Sequence, residues 1–136
     1  MLLVSACLAG FRCRYDGKIA SDESVVELIR AGKAVPVCPE QLGGLPCPRN
    51  ACERTSSGRV IDREGNDRTD AFEKGAYEAL RIAKTYGCNR AVLKAKSPSC
   101  GKGLIHDGSF SGALIQGIGV TAELLEQNGI VVEVRE

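Results

Sequence analysis

The amino-acid sequence predicts an α/β fold with a four-stranded, mainly parallel sheet flanked by helices in a Rossmann-like three-layer arrangement. Short apolar runs of strand length alternate along the chain with segments whose apolar residues recur at helical spacing. The length of 136 residues suits one domain spanning residues 1–136. A domain of this size buries about two-thirds of the surface that its unfolded chain exposes.

The first half of the chain contains two predicted strands and one predicted helix. Residues 2–6 and 34–37 are short apolar runs followed by loops, which is typical of buried strands. Between them, residues 21–33 begin with Ser-Asp, place apolar side chains at helical spacing and contain a glycine near the end. From residue 38 to about residue 68 the chain is rich in Gly, Pro and polar residues, so we expect a long functional loop.

The second half contains two further strands and two further helices. A helix is predicted over 69–87, because its apolar residues form one face and a threonine and a glycine mark its ends. Residues 90–94 are the third predicted strand, and a Gly-rich loop is expected from 95 to about 119. Residues 120–129 are the last predicted helix, and residues 130–134 are the fourth strand.

The charge and hydropathy of the sequence disfavour a nucleic-acid partner and a membrane partner. Eighteen Lys and Arg side chains nearly balance seventeen Asp and Glu, so the formal net charge is +1. Without a basic stripe, the sequence gives no strong indication of a nucleic-acid partner. The start, MLLVSACLAG, lacks a basic leading region, and no apolar run approaches the length of a membrane span. We therefore expect a cytoplasmic protein with no membrane partner.

The chain contains seven cysteines, and three of them occupy equivalent positions. Cys7, Cys38 and Cys100 each follow a different predicted strand, and loops at the carboxyl ends of parallel strands share one edge of the sheet. Three thiolates at one edge would repel one another unless a cation is bound between them. Thiolates favour a soft metal or an iron–sulfur cluster.

The remaining cysteines do not share this placement. Cys88 ends a predicted helix, while Cys13, Cys47 and Cys52 lie deeper in loops. An odd number of cysteines in a reducing compartment does not suit a disulfide framework, and the absence of any CxxC pair excludes a zinc ribbon of paired cysteines. Zinc remains the alternative metal, with Cys47, Cys52 or His106 as a fourth ligand.

Polar residues beside the three thiols indicate possible chemistry. Glu40 lies two residues after Cys38 in a stiff loop, and Ser97 precedes Cys100 in KSPSCGKG. Next to a metal with an open position, Glu40 would accept a proton and Ser97 would donate a hydrogen bond. The structural alternatives are a solvated acid for Glu40 and a loop cap for Ser97. Asp16, in RYDG, is a candidate substrate-binding residue or an ordinary turn residue.

Several motifs together resemble one known family, the short, single-domain 2-thiouracil desulfurases. The stretches VSACLAG, RYDG, PVCPEQLGGLPCPR, GNDRTDAFEKGA, VLKAKSPSCG and HDGSFSGALIQGIGVTAELL follow the order of that family and cover nearly the whole chain. The resemblance implies a 4Fe-4S cluster held by Cys7, Cys38 and Cys100, with a fourth iron free to bind the sulfur of the substrate. It also implies that Glu40 and Ser97 lie beside that iron as catalytic residues.

The implied reaction is the non-redox removal of sulfur from a thiolated pyrimidine such as 2-thiouracil, which gives uracil and hydrosulfide. Glu40 would activate the attacking water, and Ser97 would supply a hydrogen bond. An iron–sulfur or metal carrier without catalysis is the alternative. The sequence departs from the family pattern at Ala9, where leucine is usual, and at Cys47, where threonine is common. Cys47, or less directly Cys13, could therefore bring an extra thiol to the cluster.

Overall fold

A four-stranded parallel sheet forms the centre of the computed structural model, which describes residues 1–136. The strands of this sheet are β1 (Leu2–Ser5), β2 (Ala34–Val37), β5 (Arg90–Lys94) and β8 (Val131–Arg135). Their spatial order is β2-β1-β5-β8, and every pairing between neighbours is parallel. The predicted α/β class and its four strands are therefore confirmed.

Helices cover both faces of this sheet. The three long helices are α1 (Glu23–Arg30), α3 (Thr69–Thr85) and α4 (Val120–Gln127). Leu3 is fully buried in a core that includes residues of α3 and α4, whereas Val4 is fully buried in a second core with Val25 of α1. Adjacent residues of one strand thus face opposite layers, as the alternation of side chains requires. The predicted three-layer arrangement is confirmed.

The helix ends follow from local sequence. The Asp22 side chain accepts a hydrogen bond of 2.9 Å from the Ser24 amide, which caps α1 and makes Glu23 its first residue. The helix predicted from Thr69 begins there and ends two residues before Gly87. At 17 residues α3 is the longest helix, and no helix combines the length and hydropathy needed to cross a membrane.

The two stretches predicted to be loops each contain an antiparallel hairpin, so that part of the prediction was wrong. One hairpin pairs β3 (Cys52–Arg54) with β4 (Val60–Asp62), and the other pairs β6 (Lys102–His106) with β7 (Leu114–Ile118). The strands of the first hairpin have three residues each, too few to show alternation. Those of the second are largely exposed and contain glycine, so they carry no apolar pattern.

Two glycines allow close packing at the carboxyl edge of the sheet. A short helix, α2 (Pro39–Leu42), lies against α3 so tightly that a Cβ atom at Gly75 would overlap the carbonyl group of Pro39. A Cβ atom at Gly119, just before α4, would overlap the carbonyl group of Ser99. Gly75 and Gly119 therefore fix the positions of the chain segments next to Cys38 and Cys100.

We predict that Gly75→Ala destabilises the protein by about 1–3 kcal/mol, because the added methyl group forces α2 away from α3. Lys74→Ala is the matched control, since Lys74 is exposed on the same helix, and it should change the free energy of unfolding by less than about 0.5 kcal/mol. Urea unfolding followed by circular dichroism measures both. Equal stability of the two variants would contradict the close contact between the helices.

Candidate active site

A cavity of about 400 Å³ lies at the carboxyl edge of the parallel sheet. Residues that follow β1, β2 and β5 line it, together with residues of both hairpins. Open parallel sheets bind ligands in the crevice outside the carboxyl ends of their strands. The cavity therefore lies where this fold places a ligand.

Five of the seven cysteines line this cavity, and no cysteine forms a disulfide. The five are Cys7, Cys13, Cys38, Cys52 and Cys100. Cys7 lies in a 3-10 turn directly after β1, Cys38 is the residue that precedes α2, and Cys100 follows β5. The structure thus brings together the three thiols that follow the parallel strands, while the core thiol Cys88 is absent from the cavity.

Cys13 and Cys47, the two extra thiols considered for the cluster, occupy different positions relative to the cavity. Cys13 is buried with its thiol beside those of Cys7 and Cys38, and its backbone carbonyl oxygen accepts a hydrogen bond of 3.7 Å from the Cys38 thiol. Of the two extra thiols considered for the cluster, Cys13 lines the cavity, because the chain after β1 folds back over its own 3-10 turn. Cys47 does not line the cavity, and its sulfur lies 3.0 Å from the carbonyl oxygens of both residues that flank Cys13.

The surroundings of these thiols give them different pKa values. The hydrogen bond from Cys13 lowers the pKa of Cys38 to about 7 and also lowers the pKa of Cys7. The same bonds raise the pKa of Cys13. Burial raises the pKa of Cys52 and of Cys100 to about 12 each. Cys100 would therefore ionise only on binding a cation, which deprotonates a coordinating thiol.

Glu40 lies in α2 and its carboxylate is fixed by a buried ion pair. The Arg49 Nε atom lies 3.1 Å from Oε1 of Glu40, and their side chains are only 6% and 17% exposed respectively. Both residues line the cavity. Glu40 is thus a positioned carboxylate and not a solvated acid in a turn. Nothing in the spacing of the motif marks Arg49 as its partner, so the sequence did not reveal the pair.

Ser97 also lines the cavity and caps the loop that carries Cys100. Its Oγ atom accepts hydrogen bonds from the amides of Ser99, at 3.1 Å, and Cys100, at 3.0 Å. The capping alternative for Ser97 is therefore correct. Because both bonds use the oxygen as acceptor, the hydroxyl proton remains available for a further hydrogen bond.

Asp16 does not line the cavity, but its ion-pair partner does. Its carboxylate accepts a hydrogen bond from the Lys18 amide and lies 3.2 Å from the Arg14 guanidinium, which reaches the cavity wall. Asp16 acts as a turn residue that orients Arg14. Its assignment to substrate binding stays a prediction.

The donor set of the cavity suits a soft metal centre. The cavity offers several thiols, yet no group of three or more His, Cys, Asp and Glu side chains converges on one point where a single metal ion could bind. Of the fourth ligands considered for zinc, Cys52 and His106 line the cavity and Cys47 does not. The thiolates of a 4Fe-4S cluster bind different irons, so they surround a volume and do not converge on one point.

The hairpins add cavity residues that sequence reasoning missed. These residues are Glu53, Arg63, His106 and Phe110. His106 appeared above only as an alternative zinc ligand, and the other three received no role. The HDGSFSG motif was a possible signal for two of them, but its contacts with the first hairpin depend on the tertiary structure.

The fold and the cavity define an α/β protein with a thiol-rich ligand site at the carboxyl edge of a parallel sheet. The family model for 2-thiouracil desulfurase matches residues 2–136. The chain belongs to the 2-thiouracil desulfurase family, a family of enzymes, and the resemblance seen in the motifs is confirmed.

Two relatives cover almost the whole chain. The uncharacterized protein YbbK of Bacillus subtilis (strain 168) is 41% identical over an alignment of 138 residues in length. The alignment covers 95% of this chain and 91% of that protein. The solved structure of the 4Fe-4S-dependent thiouracil desulfidase TudS matches with a TM-score of 0.92 and 40% identity, covering 98% of this chain and 89% of that one. The fold is thus shared over nearly its full length.

The low pKa of Cys38 predicts a pH-dependent reactivity in the cluster-free protein. Because only the thiolate is nucleophilic, alkylation of Cys38 by iodoacetamide should accelerate as the pH rises through about 7. In the Cys13→Ala variant the hydrogen bond is lost, so this midpoint should move upward. Peptide mapping by mass spectrometry measures the rate, with Cys88 as an internal control whose pKa is raised by burial. An unmoved midpoint would contradict the contact between the side chains of Cys13 and Cys38.

Proposed function

We propose that the protein hydrolytically removes sulfur from a thiolated pyrimidine such as 2-thiouracil. Water supplies the oxygen of the uracil product, the sulfur leaves as hydrosulfide, and no electrons are gained or lost. The observation that carries the proposal is the convergence of three thiols, a fixed carboxylate and a free hydroxyl on one cavity. Membership of the 2-thiouracil desulfurase family and the likeness to a thiouracil desulfidase support it.

Cys7, Cys38 and Cys100 are the residues that hold a 4Fe-4S cluster in this proposal. Their thiols come from three separate strand ends, and the hydrogen bond with Cys13, assisted by the positive charges of Lys94 and Arg14, lowers the pKa of Cys7. Basic residues at the cavity wall offset the negative charge of several thiolates. When bound through three cysteines, such a cluster supplies one iron without a protein ligand, a Lewis acid for a thiocarbonyl sulfur.

Glu40 is the general base of the proposed reaction. It lines the same cavity as Cys7, Cys38 and Cys100, two positions along the chain from Cys38. The ion pair with Arg49 orients the carboxylate, so it is ready to accept a proton from the water that attacks the ring carbon. A carboxylate fixed before substrate binds needs little rearrangement at the moment of reaction.

Ser97 supplies a hydrogen bond in the same step. Two backbone amides fix its oxygen, so the hydroxyl proton has a limited range of directions. Donation of this proton to the substrate would stabilise the charge that develops as water attacks. Ser97 therefore combines the structural role of a loop cap with a role in the reaction.

Burial disfavours the alternative of a cluster carrier. Transfer of a cluster to another protein needs an exposed site, yet Cys7 and Cys100 are only 9% and 5% exposed. A paired carboxylate beside the thiols also has no role in transfer. All seven cysteines are free, which agrees with our assignment of the protein to the reducing cytoplasm.

The proposed base is tested by Glu40→Gln in protein reconstituted anaerobically with iron and sulfide. Release of uracil and sulfide from 2-thiouracil, without an added electron donor, should fall by about 10²–10⁴-fold. Iron content should be unchanged, because Glu40 is not a proposed ligand. Glu73→Gln is the matched control, since Glu73 is exposed on α3, and it should keep the wild-type rate.

Three outcomes would contradict this account. A full rate in Glu40→Gln with intact iron would remove Glu40 from catalysis. A wild-type protein that consumes a reductant in every turnover would exclude the non-redox reaction. A wild-type protein that desulfurates no thiolated pyrimidine but delivers its iron to an apo-protein would establish the carrier.

A further inference from the structure

One buried side-chain atom has no hydrogen-bond partner in the structure, and that atom is Nδ1 of His106. More than nine in ten buried polar groups in native proteins are paired, so an unpaired nitrogen requires an explanation. His106 is the last residue of β6 and the single histidine of the chain, and it lines the cavity. His106 thus brings an unpaired nitrogen to a side chain of the cavity wall.

Phe110 lies four residues after His106 and lines the same cavity. Its backbone has a φ of +57°, a left-handed conformation that non-glycine residues seldom adopt. Glu53, which is buried, accepts hydrogen bonds from the amides of Gly108 at 2.9 Å and Phe110 at 3.1 Å. The carboxylate on the first hairpin thus holds the turn of the second hairpin and places Phe110 at the cavity wall.

His106 and Phe110 differ from the thiols both in their chemistry and in the chain segments that carry them. Cys7, Cys38 and Cys100 belong to the segments that follow the strands of the parallel sheet, whereas His106 and Phe110 belong to the segment around β6. The Arg63 guanidinium lies 5.2 Å from the centre of the Phe110 ring and further restricts it. An aromatic ring and a polar nitrogen on one wall are the groups that recognise a planar heterocycle.

We propose that His106 and Phe110 form the subsite that recognises the pyrimidine ring of the substrate. Phe110 stacks on the ring, and Nδ1 of His106 forms a hydrogen bond with the edge that carries a ring N–H and a carbonyl group. Because that edge offers a donor and an acceptor, either neutral tautomer of His106 finds a partner. The proposal rests on the proposed function, because it names the residues that bind the substrate of that reaction.

Uracil binding to the reconstituted protein tests the subsite separately from turnover. In equilibrium dialysis with labelled uracil, His106→Leu should bind about tenfold more weakly, because it loses one hydrogen bond to a buried group. His106→Asn carries an amide near the position of Nδ1 and should recover most of the affinity. Phe110→Ala should weaken binding about 5- to 150-fold through the loss of stacking.

Kinetics with 2-thiouracil supply a second readout. Both His106→Leu and Phe110→Ala should raise KM while kcat changes little, since neither residue takes part in the proposed proton transfer. Iron content and thermal midpoint are measured for every variant, and His106→Gln replaces His106→Leu if the latter fails to fold. His106→Gln should show the weak binding of His106→Leu, because its amide extends beyond the position of Nδ1.

The outcomes separate this proposal from the proposed function. Unchanged uracil affinity and KM in iron-loaded His106→Leu and Phe110→Ala would overturn the subsite, and His106→Asn as weak as His106→Leu would overturn the hydrogen bond. A wild-type protein that binds uracil with the expected variant pattern but releases no sulfide would overturn the proposed function and support the subsite. A wild-type protein that neither binds uracil nor releases sulfide would overturn both.

Discussion

Parallel pairing of β1 with both of its neighbours is the constraint on which the site depends. In the β1–β2 register Ser5 lies opposite Val37, so the two strands end side by side at the same edge of the sheet. The segments that follow them carry Cys7 and Cys38. On the other side, β5 runs in the same direction and leads to Cys100. Antiparallel pairing of any one strand would send its thiol to the opposite edge.

Hydrogen bonds between polar side chains and the loops fix the residues around the cavity at this edge of the sheet. Oγ of Ser5 accepts a hydrogen bond of 2.9 Å from the Lys94 amide, which ties the ends of β1 and β5 together. Ser97 caps its own loop, and Arg49 holds Glu40. Each of these polar groups has at least one hydrogen-bond partner within the protein, which limits the freedom of the reactive side chains before any ligand binds.

The parts of the fold that local sequence specifies were predictable. The apolar run before Cys7 and the amphipathic pattern that begins at Thr69 depend on nearest neighbours in the chain, and the structure contains both as expected. The common edge of Cys7, Cys38 and Cys100 followed from strand direction alone. Their role as ligands came from the resemblance to the family and stays a prediction.

The missed features depend on contacts between residues far apart in the chain. The Cys47 thiol holds the loop around Cys13 from more than 30 residues away. Glu53 bonds to amides 55 and 57 residues further along the chain. Propensity and periodicity describe short windows, so they cannot reveal such pairs.

The central claim is that three thiols at one edge of the sheet hold an iron–sulfur cluster. Iron and acid-labile sulfide per chain, measured after anaerobic reconstitution of single Cys→Ser variants, test it directly. The account predicts about four irons and four sulfides in wild type and in Cys88→Ser, and a loss of both in Cys7→Ser, Cys38→Ser and Cys100→Ser. Full iron and sulfide in any of the last three variants would contradict it.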